Sequence, residues 1–340
     1  MGDHITRGAA VTAARFATAV LVGAMLTGTA RAEPATPEQV SAPDGSHVLT
    51  VTEGRSGIDM SVYSALMRKP VAVKVLRAPD DSIPAPTLYL LNGADGGADR
   101  NWADATDVAE FFADKQVNVV IPFGGEGSYF TDWRTDDPAL GRQRWATFLT
   151  RELPPIIDAT LKTTGANAIA GISMAGTAVF QLALTAPGVY RAIGSYSGCV
   201  RTSDVRGQAV VNAVVASQQG NPANMWGPPS DPAWAANDPY LHAEKLRGTA
   251  IYVASGSGRP GPLDTPEGVR GDLLQLTYQL LFGAPLEAIA NVCTRQLRDR
   301  LRELNIPATV DLRATGTHSW GYWQQDLHNS WPIFSAALNR

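Results

Sequence analysis

A serine that acts as a nucleophile at neutral pH needs a turn that exposes it, a base within reach and an acid behind the base. The hexapeptide Gly171-Ile172-Ser173-Met174-Ala175-Gly176 offers the turn. It follows a short apolar run, Ala166–Ala170, and precedes an Ala-rich helical stretch, Ala175–Thr185. Strand, tight turn and helix in that order form a nucleophile elbow, which lifts the serine hydroxyl off the end of a sheet. Gly171, Ala175 and Gly176 are small enough for strand and helix to approach closely, and the helix N-terminus favours negative charge. The pattern departs from strict G-x-S-x-G, since Ala175 fills the fifth position and Gly176 follows. A plainer reading uses the same residues without chemistry: an ordinary turn with a serine capping a helix.

In a fold built around such an elbow the chain order is Ser, acid, His, with the base after the last strand. His318 in Gly316-Thr317-His318-Ser319-Trp320 follows the last expected strand, Ala308–Leu312, and fits the base. His47, His242 and His328 read as exposed residues. The acid falls between Ala254 and His318, where Asp264, Glu267, Asp272, Glu287, Asp299 and Glu303 are candidates that spacing does not separate. Asp299 and Glu303, interleaved with Arg298, Arg300 and Arg302, read as a solvated helix face. Asp264 and Glu267 lie in a Pro/Gly-rich loop that suits an acid. An oxyanion needs two backbone donors. Met174, next to the serine, supplies one, and Ala94 in Leu90-Leu91-Asn92-Gly93-Ala94 supplies the other. A hairpin at Asn92-Gly93 is the alternative, but no partner strand follows.

The elements that must hold these residues are legible as short β-rich runs. His47–Glu53, Asp59–Leu66 and Val71–Leu76 alternate in part and are joined by short turns, which predicts an antiparallel start. Thr87–Leu91, Val117–Pro122, Ala166–Ala170, Tyr190–Ser195, Thr249–Ala254 and Ala308–Leu312 are compact apolar runs. Helical patterns at Val108–Lys115, Trp145–Leu161 (interrupted by Pro154-Pro155) and Ala175–Thr185 fall between them. The alternation predicts an α/β fold, with a mostly parallel central sheet covered by helices on both faces. Thr202–Leu246, rich in Asn, Pro and Trp, reads as an ordered excursion over the sheet rather than a second domain.

Composition excludes several classes. With 44% hydrophobic and 18% charged residues over 340, the chain is too apolar for disorder. Lys+Arg 28 against Asp+Glu 32, a net charge of -4, gives a nucleic-acid role no electrostatic support. Arg7 and Arg15, the uncharged stretch Phe16–Ala30 and the pattern Ala30-Arg31-Ala32 together predict a signal peptide over residues 1–32. The uncharged stretch is shorter than the ~20 residues a spanning helix needs, and an uncleaved anchor is the alternative. Cleavage removes three arginines and Asp3, taking the net charge from -4 to -6. It leaves residues 33–340 as a single catalytic domain, secreted or held in the cell envelope, with no further stretch able to span a membrane. Export implies an oxidising compartment, in which Cys199 and Cys293 pair; two buried free thiols are the alternative. Closing a loop of that length contributes roughly 4–5 kcal/mol on chain-entropy grounds. No cofactor and no metal site is expected.

Seven blocks, in order, give the chain a family likeness: LYLLNGADGG (88–97), IPFGGEGSYFTDW (121–133), RWATFLTRELP (144–154), GISMAGT (171–177), NMWGPPSDPAWAANDP (224–239), LEAIA (286–290) and THSWGYW (317–323). In these it resembles the mycolyltransferases of mycolic-acid bacteria, the group that contains the mycobacterial antigen 85 complex. The resemblance implies the α/β-hydrolase fold. It implies Ser173 as nucleophile, His318 as base and Glu287, which follows Leu286, as acid. The oxyanion donors map onto Ala94 and Met174, and the sugar contacts onto Asn92, Ala94, Ser195, Ser319 and Trp320. The reaction it implies moves a mycoloyl chain from trehalose monomycolate through an acyl-serine to a second trehalose monomycolate or to cell-wall arabinogalactan. A monomer is expected. Two departures bear on the acceptor and the branch. Asp95 stands where the mycobacterial proteins carry an arginine, and Cys199 and Cys293 lie away from the mycobacterial cysteine pair, an arrangement more like the corynebacterial branch. A carboxylesterase with the same triad and water as acceptor is the runner-up. A non-catalytic wall-binding protein is the third reading, and the intact Ser173, Glu287 and His318 speak against it.

Overall fold

β-branched residues at alternate positions start the chain as a meander. In the computed structural model, which describes residues 40–54 and 57–340, β1 (His47–Gly54), β2 (Gly57–Ser64) and β3 (Lys69–Leu76) pair antiparallel through short turns. The expected signal segment lies outside the described residues. β2 buries every second residue, as a strand with one covered face must. The next four strands have no polar face: β4 (Thr87–Leu91), β5 (Asn118–Pro122), β6 (Asn167–Ile172) and β7 (Ala192–Tyr196) are buried at every position. That pattern belongs to a sheet covered on both sides. β8 (Ala250–Ser255) and β9 (Thr309–Leu312) complete it.

All nine strands form one sheet in the order β1-β2-β3-β5-β4-β6-β7-β8-β9. β3 meets β5 antiparallel, and every pairing from β5 through β9 is parallel. The expected class and the antiparallel start are both present. β4 spans the expected residues, and the other strands shift by one or two residues at their ends. Apolar side chains pack on both faces. One layer holds the helix Met174–Thr185, and the other lies under the C-terminal helix Trp320–Leu338, with Leu88, Leu90 and Phe334 in contact. Among the described residues no helix is long and apolar enough to cross a membrane.

Two stretches differ from the pattern reading. Trp145–Leu161 is helical throughout, with Pro154 and Pro155 in the first turn of Leu153–Leu161. The π turn Phe148–Glu152, in which the Leu153 amide donates to the Phe148 carbonyl, precedes the prolines and joins the two pieces. The excursion contains a thirteen-residue helix, Val205–Ser217, capped by Asp204, whose carboxylate accepts from the Gly207 amide at 2.7 Å. Its valines and alanines face both the core and the cleft described below, so no polar stripe marks its period. Cys199 and Cys293 are joined, with 5.0 Å between their Cα atoms, and tie the loop after β7 to the helix Ala284–Glu303.

Candidate active site

Close approach of strand and helix holds Ser173 in its turn. Its backbone sits at φ 53°, ψ -120°, the left-handed side that side chains avoid. The cost is of order 1–3 kcal/mol, and the surroundings enforce it. The Ser173 amide donates to the Tyr196 carbonyl of β7 at 2.8 Å. A Cβ on Gly171 would lie 2.7 Å from that of Ala175, and one on Gly176 would lie 3.0 Å from the Gly198 backbone. Small residues at 171 and 176 are therefore a packing requirement of the elbow.

His318 lies at the other wall of the same cavity, which both residues line. Its Nδ1 is 2.8 Å from Glu287 Oε2. Glu287 is fully buried, and its second oxygen accepts from the Gly256 amide at 2.5 Å and from the Ser197 hydroxyl at 2.9 Å. The indole of Trp323 donates to Ser197 Oγ at 3.0 Å and meets the His318 ring edge-on, with 4.9 Å between centroids. Gly256 and Ser197 thus hold the carboxylate from the side away from His318, and Trp323, which fixes Ser197, also touches the imidazole. One turn along the same helix, Asn291 donates to the Gly256 carbonyl at 2.7 Å and fixes the helix to the end of β8. Ser197 carries no sequence signal, because a lone serine after a strand looks like any loop serine.

A second buried carboxylate organises the loop that carries His318. Asp264 Oδ1 accepts from the Thr317 hydroxyl and from Gln279 Nε2, and Oδ2 accepts from the Gly261 amide and the Tyr322 hydroxyl, the latter at 2.8 Å. Asp264 was a candidate acid by position. It instead grips the residue before His318, while the carboxylate on the imidazole is Glu287. Burial and this carboxylate push the Tyr322 hydroxyl above its ordinary range. The His318 amide also donates to the Gly283 carbonyl, 3.3 Å away at the start of the Glu287 helix.

The loop after β4 passes beside the serine. A Cβ on Gly93 would lie 3.9 Å from Ser173 Cβ. The Ala94 carbonyl accepts from Gly127 and the Gly96 carbonyl from Gly124, both at 2.9 Å, so the loop is clamped to the loop after β5. Asn92 is fully buried, donating to the Pro122 carbonyl and accepting from the Trp102 amide, each at 3.3 Å. Asp95 accepts from the Gly97 and Asp99 amides and shapes its own loop. Ser195 is fully buried at the contact between Gly176 and Gly198. Ser319 is buried at the start of the C-terminal helix, and the ring of Trp320 packs edge-on to Trp102 and Trp323. None of the expected sugar contacts, Asn92, Ala94, Ser195, Ser319 and Trp320, lines the cavity of Ser173, whereas Met174 does.

The cavity, about 250 Å³, is apolar apart from the reacting groups. Val210, Ala213 and Val214 of Val205–Ser217 face Leu286, Ile289 and Ala290 of Ala284–Glu303, each a stripe at helical spacing. A further cavity of about 330 Å³ shares Cys199, Val210 and Ile289 with the first and ends at Arg201, Arg206 and Gln296. The cleft therefore leads from Ser173 past the disulfide toward the surface.

A buried carboxylate on an imidazole, beside a serine on a strained strand-to-helix turn, defines a serine hydrolase-type enzyme on an α/β-hydrolase sheet. The "Putative esterase" family model matches residues 64–332. The chain is 31% identical over 300 residues to the diacylglycerol acyltransferase/mycolyltransferase Ag85B of Mycobacterium leprae, covering 81% of this chain and 87% of that protein. It is 32% identical over 266 residues to Ag85A of Mycobacterium tuberculosis, covering 75% and 74%. The chain belongs to this esterase family and, within it, to the Ag85 mycolyltransferases. Among solved structures, Mycobacterium tuberculosis MPT51 superimposes with a TM-score of 0.66 at 25% identity, over 81% of this chain and 96% of that one. A ferulic acid esterase, at 17% identity and a TM-score of 0.57 over 86% and 99%, shares the fold.

Proposed function

We propose that the chain is an exported acyltransferase of the cell envelope that moves a mycoloyl group from trehalose monomycolate to a second sugar hydroxyl. The acceptor is another trehalose monomycolate or wall arabinogalactan. His318 Nε2 takes the Ser173 proton as Oγ attacks the ester carbonyl carbon. The amides of Ala94 and Met174 hold the oxyanion. The carbonyl–oxygen bond to trehalose then breaks, and His318 returns the proton to the leaving hydroxyl. The acceptor hydroxyl gives its proton to His318 as its oxygen attacks the acyl-serine carbonyl; the carbonyl–Oγ bond then breaks, and His318 passes that proton to Ser173 Oγ. Glu287 keeps Nδ1 as the donor and stabilises the imidazolium. The acyl chain lies between Val205–Ser217 and Ala284–Glu303, and the sugar lies toward Ser319 and Trp320. Asn92 and Ser195 act by shaping the loop and the elbow, not by touching the sugar.

The observation that carries this reading is the 2.8 Å contact of Glu287 with His318 at the mouth of an apolar cleft that Ser173 also lines. A fluorophosphonate probe tests the nucleophile. The wild-type chain is labelled at Ser173 and Ser173→Ala is inert; full labelling of the variant contradicts the assignment. The family model's name and the hydrolase neighbours also favour a second reading, a carboxylesterase with water as acceptor. The triad serves both, since transfer depends on keeping water from the acyl-serine.

A further inference from the structure

The helical run that carries Glu287 presents a bare apolar face to solvent. Between residues 273 and 292 the only charged residue is Glu287, and it is buried. At the near end of this run Leu274 is 82% exposed, Leu273 61%, Leu281 64% and Phe282 57%. Soluble proteins rarely leave so many large apolar side chains together in water. Further along, Leu286, Ile289 and Val292 are each nearly half exposed. Leu286 and Ile289 also line the cavity of Ser173, and Val292 lines the cavity that continues from it. The bare face and the acyl wall are thus one continuous surface.

We propose that this face, centred on Leu274, Leu281 and Phe282, docks the enzyme onto a lipid surface, so that an acyl chain passes from the lipid directly into the cleft. This rests on the acyltransferase reading above and names where its substrate is drawn from. Whatever covers the face also covers the mouth of the cleft. A protein partner or a second copy there blocks entry of the acyl chain, whereas a lipid surface supplies it. A face without exposed charge inserts at the boundary of headgroups and chains by burying apolar area, with no call on anionic lipid.

Flotation of the full chain with vesicles of pure phosphatidylcholine tests the docking. The wild type floats with the vesicles at low and high salt alike. The triple variant Leu274→Ser, Leu281→Ser, Phe282→Ser lowers the bound fraction about tenfold or more, while hydrolysis of the soluble ester p-nitrophenyl butyrate stays within about twofold. Leu274→Ser alone, at the most exposed position, gives a fall of about threefold and keeps the test readable if the triple variant misfolds. Equal flotation of wild type and variants overturns the proposal, as does absence of flotation by the wild type. A concentration-dependent dimer that the triple variant dissolves, without flotation, gives the face to a second copy and overturns it too. Failure of the catalytic reading shows separately, as loss of soluble-ester turnover and fluorophosphonate labelling in a wild type that still floats.

Discussion

The two sides of the cleft are built on opposite principles. On the polar side Glu287 and Asp264 are buried carboxylates whose oxygens all accept hydrogen bonds, from Gly256, Ser197, Gly261, Thr317, Gln279 and Tyr322 together with the His318 contact. On the apolar side Val210, Ala213, Leu286 and Ile289 offer area and no direction. Proton transfer demands placement to a fraction of an ångström, and a buried charge is tolerated only when fully paired. A long alkyl chain makes no such demand, so its wall can be wide and partly bare. Changes on the polar side should therefore cost rate, and changes on the apolar side should cost recognition of the chain.

The largest expected effect is on the polar side. Glu287→Gln keeps the shape but offers the wrong hydrogen-bonding group to Nδ1, and kcat on p-nitrophenyl butyrate falls by about 10⁴ with KM little changed. Asp264→Ala acts one step removed, through Thr317 and the loop of His318. It lowers kcat about tenfold to hundredfold, again without raising KM, and a fall as deep as that of Glu287→Gln would erase the distinction between the two carboxylates. On the apolar side Ala213→Trp narrows the cleft. It raises KM for long-chain p-nitrophenyl esters about tenfold and leaves the butyrate ester nearly unaffected.

The smallest effect is on stability. Asp326, fully buried beside Arg313, has its carboxyl pushed up to about 7 because burial outweighs the pull of the guanidinium. Between the unfolded value near 4 and about 7 the native state holds a proton that the unfolded chain has released. The contribution is therefore full below pH 4 and is lost as pH rises through about 7. Asp326→Asn flattens the fall in melting temperature across that window, which thermal scans from pH 4 to pH 8 read directly.

How legible each part was in the sequence follows from how local its signal is. β4 through β8 announce themselves because a strand covered on both faces is an unbroken apolar run, and the elbow because Gly171, Ser173 and Gly176 answer to one turn. The helix Val205–Ser217 does not, since both of its faces are apolar and no period stands out. The acid was open by spacing for a physical reason: Asp264 and Glu287 both converge on the His318 loop, one through Thr317 and one on the ring itself. Only the folded geometry separates them, and the family likeness points to the same Glu287. Ser197 was invisible, because its role depends on Trp323 and Glu287, which are 126 and 90 positions away.

The central claim is that Ser173 carries an acyl group from one sugar to another. Purified trehalose monomycolate incubated with the chain, with products and intact protein read by mass spectrometry, tests it most directly. The account predicts a mycoloyl adduct on Ser173 that turns over to trehalose dimycolate and free trehalose in equal amounts. Accumulation of free mycolate with no dimycolate and no transfer to added arabinogalactan would contradict it and leave an esterase.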